Sequence, residues 1–129
     1  MQLNLESPDF DYVLRGADGR QALVNDRRID RSFIIAPRNL IDDWAATDVR
    51  NLDVDTLAPV FALGPEVILL GTGDTQAFPP PATMAACLSR GIGLEAMTNA
   101  AAARTFNVLA GEGRKVVAAF VLRSDAIPG

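Results

Sequence analysis

The stretch Val67-Ile68-Leu69-Leu70-Gly71-Thr72-Gly73-Asp74-Thr75, VILLGTGDT, decides how the chain is read. With Glu66 ahead of it, its continuously apolar start reads as a strand buried on both faces. Two glycines turn the chain, and "PATMAACLSRG" follows as a helix entered through Pro79, Pro80 and Pro81 and stopped by Gly91. "IGLEAM" is a short strand. "TNAAAARTFNVLAGEG" is an alanine-rich helix with Thr98 as N-cap and Gly111 or Gly113 at its end, and "RKVVAAFVL" is another buried strand. Strand, helix, strand, helix, strand predicts a layered α/β unit, with right-handed crossovers wherever neighbouring strands run parallel. Ala100 to Ala103 are small enough to let their helix lie close against the sheet.

Upstream, the rhythm is of short strands and turns. "FDYVLRG" alternates, and "ADGRQALVNDRRI" carries Asp18-Gly19, a dipeptide that accepts positive φ in tight hairpins. "RSFIIAP" is a β-branched and aromatic run closed by Pro37, and "LIDDWAA" is a further expected strand with Trp44 on one face. "DVDTLAPVFALG" predicts a helix capped by Asp53, limited by Pro59 and ended by Gly64. No repeat or low-complexity block divides the chain. The expectation is one compact layered α/β domain over residues 1–129 with a mixed β-sheet, N-terminal strands preceding a βαβαβ C-terminal half. "SDAIPG", residues 124–129, is expected to be a loose tail.

Composition narrows the function. The 129 residues are 49% hydrophobic and 22% charged, with a formal net charge of -4, enough apolar content for a core and too little charge for disorder. An acidic balance argues against nucleic acid, whose binding rests on Lys and Arg neutralising phosphates. Arg27, Arg28, Arg31 and Arg38 make the N-terminal half locally basic and read as solvated turn and strand-end charges. The absence of His excludes a Ser-His-Asp arrangement and any His-based general base. Cys87 is the single Cys, so there is no intrachain disulfide or Cys-rich zinc cage; within "ATMAACLSR" it reads as a small core hydrophobe. "MQLNLESPDF" has no signal-peptide pattern, and no apolar run approaches the ~20 residues of a membrane span. A cytoplasmic location without membrane insertion is expected. Oligomeric state is left open.

The glycine loop falls short of the phosphate motifs. A dinucleotide fingerprint needs a third glycine where Gln76 stands and a helix following directly, whereas three prolines intervene; Glu95 lies where the acid would fall. "GEGRK" joins a helix to a strand, the reverse of a P-loop, and Val116 follows Lys115. Asp9/Asp11, Asp42/Asp43 and Asp53/Asp55 lack the spacing of a calcium loop. No catalytic set, metal or cofactor is therefore expected. A positional argument survives. Ligands of parallel sheets bind beyond the carboxyl ends of strands, where Gly71, Thr72 and Gly73 follow one strand and Thr98 and Asn99 follow another at a helix N-terminus. The competing reading is a tight turn beside an N-cap. Arg104, Thr105 and Asn107 form a second candidate polar cluster, Arg104 and Asn107 sharing a helix face.

Between Pro65 and Leu122, "PEVILLGTG", the "PPP" run, "GIGLEAM" and "AARTFNVLAGEGRKVVAAFVL" follow one another in a familiar order and spacing. The chain resembles the family that includes the mitochondrial respiratory complex I assembly factor 3 and many small bacterial and archaeal proteins. The likeness is weaker but collinear from about Gly16 to Gly64. It implies a compact α/β domain with a mixed sheet, a surface near Leu70-Gly71-Thr72-Gly73 and Arg104-Thr105-Phe106-Asn107, and protein partners rather than established catalytic residues. Phe106 stands where relatives often show Tyr, and the lack of a transit peptide points to a bacterial protein. The expected function is a non-catalytic protein-interaction module, an assembly or export helper for a membrane-associated complex. The alternative is a small-molecule or cofactor binder, an enzyme included, using the crevice at Gly71–Gly73 and Thr98–Asn99.

Overall fold

Residues 11–123 are described by a computed structural model; the first ten residues and the expected loose tail at 124–129 lie outside the described residues. In chain order they form β1 (Leu14–Ala17), β2 (Ala22–Val24), β3 (Arg27–Ile29), β4 (Phe33–Ala36), β5 (Asn39–Ile41), a 3-10 turn (Val49–Asn51), α1 (Val54–Phe61), β6 (Val67–Gly71), α2 (Pro81–Ser89), β7 (Gly93–Met97), α3 (Asn99–Gly111) and β8 (Val116–Phe120). The main sheet has the order β5-β4-β8-β6-β7. β6 lies parallel to both β7 and β8, whereas β4 is antiparallel to β5 and β8, so the sheet is mixed.

Every residue of β6 and β8 is buried, as their unbroken apolar runs require of strands covered on both faces. The chain moves from β6 outward to β7, then crosses back over β6 to β8. Connections of one hand that run in opposite directions must cross on opposite faces. The packing agrees. Cys87 of α2 joins Ile68, Leu70, Leu57 and Trp44 on one face, and Ala102, Ala103 and Phe106 of α3 join Val67, Leu69 and Ala118 on the other. Phe33 and Phe120, paired across β4 and β8, stack on the α3 side with ring centroids 4.8 Å apart.

The N-terminal strands form a separate three-stranded antiparallel sheet, β1-β2-β3, rather than extending the main one. Its buried residues Leu14, Ala22, Val24 and Ile29 pack into the α3-side core. Asn107 of α3 fastens it. The Asn107 side-chain oxygen accepts the Leu14 N–H at 2.9 Å, and its amide nitrogen donates to the Leu14 carbonyl at 2.6 Å. One side chain thus supplies both bonds that a neighbouring strand would make.

Three local expectations change. Positive φ falls on Asn25 (φ 51) in the two-residue β2–β3 turn, a conformation Asn tolerates, and not on Gly19. Trp44 is buried but belongs to no strand: β5 ends at Ile41, where Asp42 pairs with Arg27, and Trp44 donates its indole N–H to the Thr56 carbonyl at 2.8 Å. Pro59 lies inside α1 instead of limiting it, since a helix of eight residues forfeits only the single bond from position 59. Asp53 does cap α1, accepting from Thr56 N–H at 2.8 Å, and Gly64 has the positive φ of a helix stop.

Replacing Asn107 by Leu is expected to destabilise the fold by about 2 kcal/mol, because Leu14 would keep a partly buried N–H and carbonyl without partners. Urea unfolding measures the loss, and amide exchange at Leu14 should accelerate more than exchange in β6.

Candidate functional site

Parallel pairing fixes where the two candidate loops lie. Gly71 is in register with Met97, so β6 and β7 end on the same rim of the sheet. From there the β6 loop departs toward α2 on one face and the β7 loop toward α3 on the other. Such a divergence opens a crevice between adjacent strand ends. The backbone draws the loops together: Thr72 N–H donates to the Met97 carbonyl at 2.9 Å, and Asn99 N–H to the Gly73 carbonyl at 2.8 Å.

The space between the loops is taken by Asn99. Its side chain has no exposed surface and joins three segments of chain. The side-chain oxygen accepts from Gly73 N–H at 3.1 Å, while the amide nitrogen donates to the Asp18 carbonyl at 2.8 Å and the Val121 carbonyl at 3.2 Å. Gly71 is glycine for this reason. A Cβ there would stand 2.3 Å from the Asn99 side-chain oxygen and 2.8 Å from the Phe120 ring. Gly73 serves the turn itself, with φ 107. Thr72 Oγ1 donates to the Thr75 carbonyl at 2.7 Å and accepts from Ala77 N–H at 3.1 Å, closing the loop on itself. Thr98 caps α3 through Ala101 N–H at 3.2 Å.

Outside this plug a hollow of about 520 Å³ opens on the solvent side, lined by Thr72, Gly73, Asp74 and Thr75 with Arg50 and Arg123 across from them. Its charges are matched. Arg50 pairs with Asp48 at 3.2 Å, which holds the Asp48 carboxyl below its ordinary range, and Arg123 approaches Asp74 at 3.9 Å. Asp74 was not foreseen from the sequence. It accepts Gly19 N–H at 2.7 Å, and a Cβ on Gly19 would meet its carboxylate at 2.5 Å. Gly19 is therefore a point of close approach that ties the β1–β2 turn to the rim; nothing in the local sequence links positions so far apart.

Of the candidate residues, Gly71, Thr72, Gly73, Thr98 and Asn99 come together on this rim. Arg104, Thr105 and Asn107 go three separate ways. Thr105 bonds back to the Ala101 carbonyl at 2.9 Å, Asn107 holds β1, and Arg104 is exposed without an ion-pair or hydrogen-bond partner among the described residues. Phe106 is fully buried in the core, where a tyrosine hydroxyl would require a partner of its own. Cys87 is fully buried as well, and burial pushes its thiol up. Asp42 and Asp43 pair with Arg27 and Arg31, and Asp9 lies outside the described residues.

The architecture is that of a small mixed α/β domain whose strand-end crevice is closed by its own asparagine. The chain belongs to the family described as proteins of unknown function DUF498/DUF598, matched over residues 14–121. A protein of Xanthomonas campestris solved by NMR shares 51% identity, covering 100% of this chain and 98% of that one, with a TM-score of 0.83. NADH dehydrogenase [ubiquinone] 1 alpha subcomplex assembly factor 3 of Bos taurus is 28% identical over 121 residues, 92% of this chain. A 13 kDa major membrane protein of Francisella tularensis subsp. holarctica is 32% identical over 69 residues, 54% of this chain. The matches span 65% and 56% of the lengths of those two curated relatives.

Gly71→Ala is expected to cost about 3 kcal/mol or more, since backbone and a buried amide must shift. In a double-mutant cycle with Asn99→Ala, the two losses should fall short of additive by about 1–2 kcal/mol, read from denaturant midpoints.

Proposed function

We propose that the chain is a non-catalytic protein-interaction module that helps assemble a membrane-associated complex, acting from the cytoplasm of a bacterial cell. The observation that carries this reading is the filled crevice: the rim residues expend their polar groups on one another. The named role of the Bos taurus relative supports it, as does the acidic balance, which favours a protein over a nucleic-acid partner. Among the described residues, no helix is long and apolar enough to cross a membrane.

The contact surface we assign is the outward face of α3. Ala100, Arg104 and Val108 recur every four residues, and each is exposed. Val108 leaves 58% of its surface in solvent one turn beyond Arg104, which has no partner among the described residues. Arginine is among the residues that interface anchors favour, and Val108 adds exposed apolar surface beside it. Arg104→Glu and Val108→Asp should each lower recovery of a reproducible partner from native membranes by about tenfold while leaving Tm within about 2 °C. Recovery that ignores both substitutions, or no reproducible partner under gentle extraction, contradicts the proposal.

A second reading, a small-molecule binder at the rim, is favoured only by the hollow outside Gly73. It predicts a ligand in a thermal-shift screen of nucleotides and organic acids, a compound at 100 times its Kd stabilising by about 2.7 kcal/mol. Absence of any shift removes this reading.

A further inference from the structure

We propose that the outer face of the three-stranded sheet binds a small organic anion, a phosphate monoester or carboxylate on a short apolar tail. This site is distinct from both the rim and the α3 surface.

The argument begins with register. β1 pairs Leu14 with Val24 and then Gly16 with Leu23, so Arg15 is the extra residue of a β-bulge. A bulge sets two residues against one, here Arg15 and Gly16 against Leu23. Leu14, Ala22, Val24 and Ile29 point into the core, which turns Leu23 and its cross-strand partner Arg28 outward. Gly16 has no side chain, and nothing lies within 4 Å of where its Cβ would be. The result is a hollow of about 340 Å³ with Gly16 and Leu23 in it and Arg15, Arg28 and Gln21 around it. That volume falls in the range of small-ligand sites, roughly 300–1,000 Å³.

Charge names the ligand. In an acidic protein whose neighbouring Arg27 and Arg31 are paired with Asp42 and Asp43, neither Arg15 nor Arg28 has a partner among the described residues. Guanidinium groups present forked donors that fit phosphate or carboxylate oxygens. The Gln21 side-chain amide adds a further donor without a partner among the described residues. Leu23, 39% exposed, offers the surface for an apolar tail. Asp18 stands at one end of the hollow, its Oδ1 accepting the Arg20 and Gln21 N–H groups, and its negative charge there means that the site suits one anionic head and not two.

The test is an NMR titration of the amide-labelled chain with inorganic phosphate, hexyl phosphate and hexanoate. Saturable shifts centred on Gly16, Leu23 and Arg28 are expected, with hexyl phosphate or hexanoate bound at least about threefold more tightly than inorganic phosphate. The double substitution Arg15→Gln with Arg28→Gln should weaken binding at least about tenfold with the rest of the spectrum unchanged. Leu23→Ser should abolish the preference for the tailed ligand. Shifts that fail to saturate, that centre on the Gly73 rim or on α3, or that survive the double substitution overturn the proposal. A failure here leaves the α3 surface untouched, since that surface is read by partner capture.

Discussion

Asn99 is the first residue of α3, wholly buried, and the Gly71–Gly73 loop, the β1–β2 turn and the end of β8 all bond to its amide. A buried primary amide destabilises a fold by several kcal/mol unless its donors and acceptor are met. Here both N–H donors and the oxygen are engaged, so the penalty is offset only if all three segments arrive together. Each neighbour is then constrained. Gly71 can carry no side chain, Thr98 must cap the helix so that it starts at Asn99, and β8 must run on past Phe120 to present the Val121 carbonyl.

The same helix repeats the device two turns later. Asn107 grips the middle of the N-terminal sheet at Leu14, while Asn99 grips the turn after β1 at Asp18. Asp74 adds a third tie from the opposite loop to Gly19. α3 therefore serves as the spine on which two sheets are assembled, its small residues Ala102 and Ala103 facing the main sheet. Polar groups that another α/β protein would leave free for a ligand at its strand ends are consumed internally. Among the surfaces left outward are the exposed Arg104 and Val108 face and the bulged outer face of the three-stranded sheet, on which the functional proposals rest.

Much of this was legible in the sequence. Continuous apolar runs announced β6 and β8, the caps Asp53 and Thr98 marked two helix starts, and Gly64 and Gly91 marked stops, while the choice left open between Gly111 and Gly113 falls to Gly113, which carries the positive φ. The rim was legible too, because parallel strands must end on one side. The identity of what fills it was not. An asparagine after an N-cap looks the same whether it faces a ligand or the Asp18 and Val121 carbonyls, and those lie 81 and 22 residues away. Gly71 likewise signals close approach without saying that the approaching group is in the same chain. Arg104 and Asn107 share a helix face by spacing, yet Asn107 turns to β1, a choice set by the docking of the second sheet. The bulge at Arg15 is invisible to a period of two, since only pairing reveals the extra residue.

The central claim, that the Asn99 amide is a structural bolt and not a vacant recognition group, is tested most directly by water exchange of its side-chain NH₂ in NMR. The account predicts exchange slower than that of the exposed Asn39 side chain by at least about a thousandfold, released only when the domain opens globally. Exchange of Asn99 at the Asn39 rate under native conditions would contradict it.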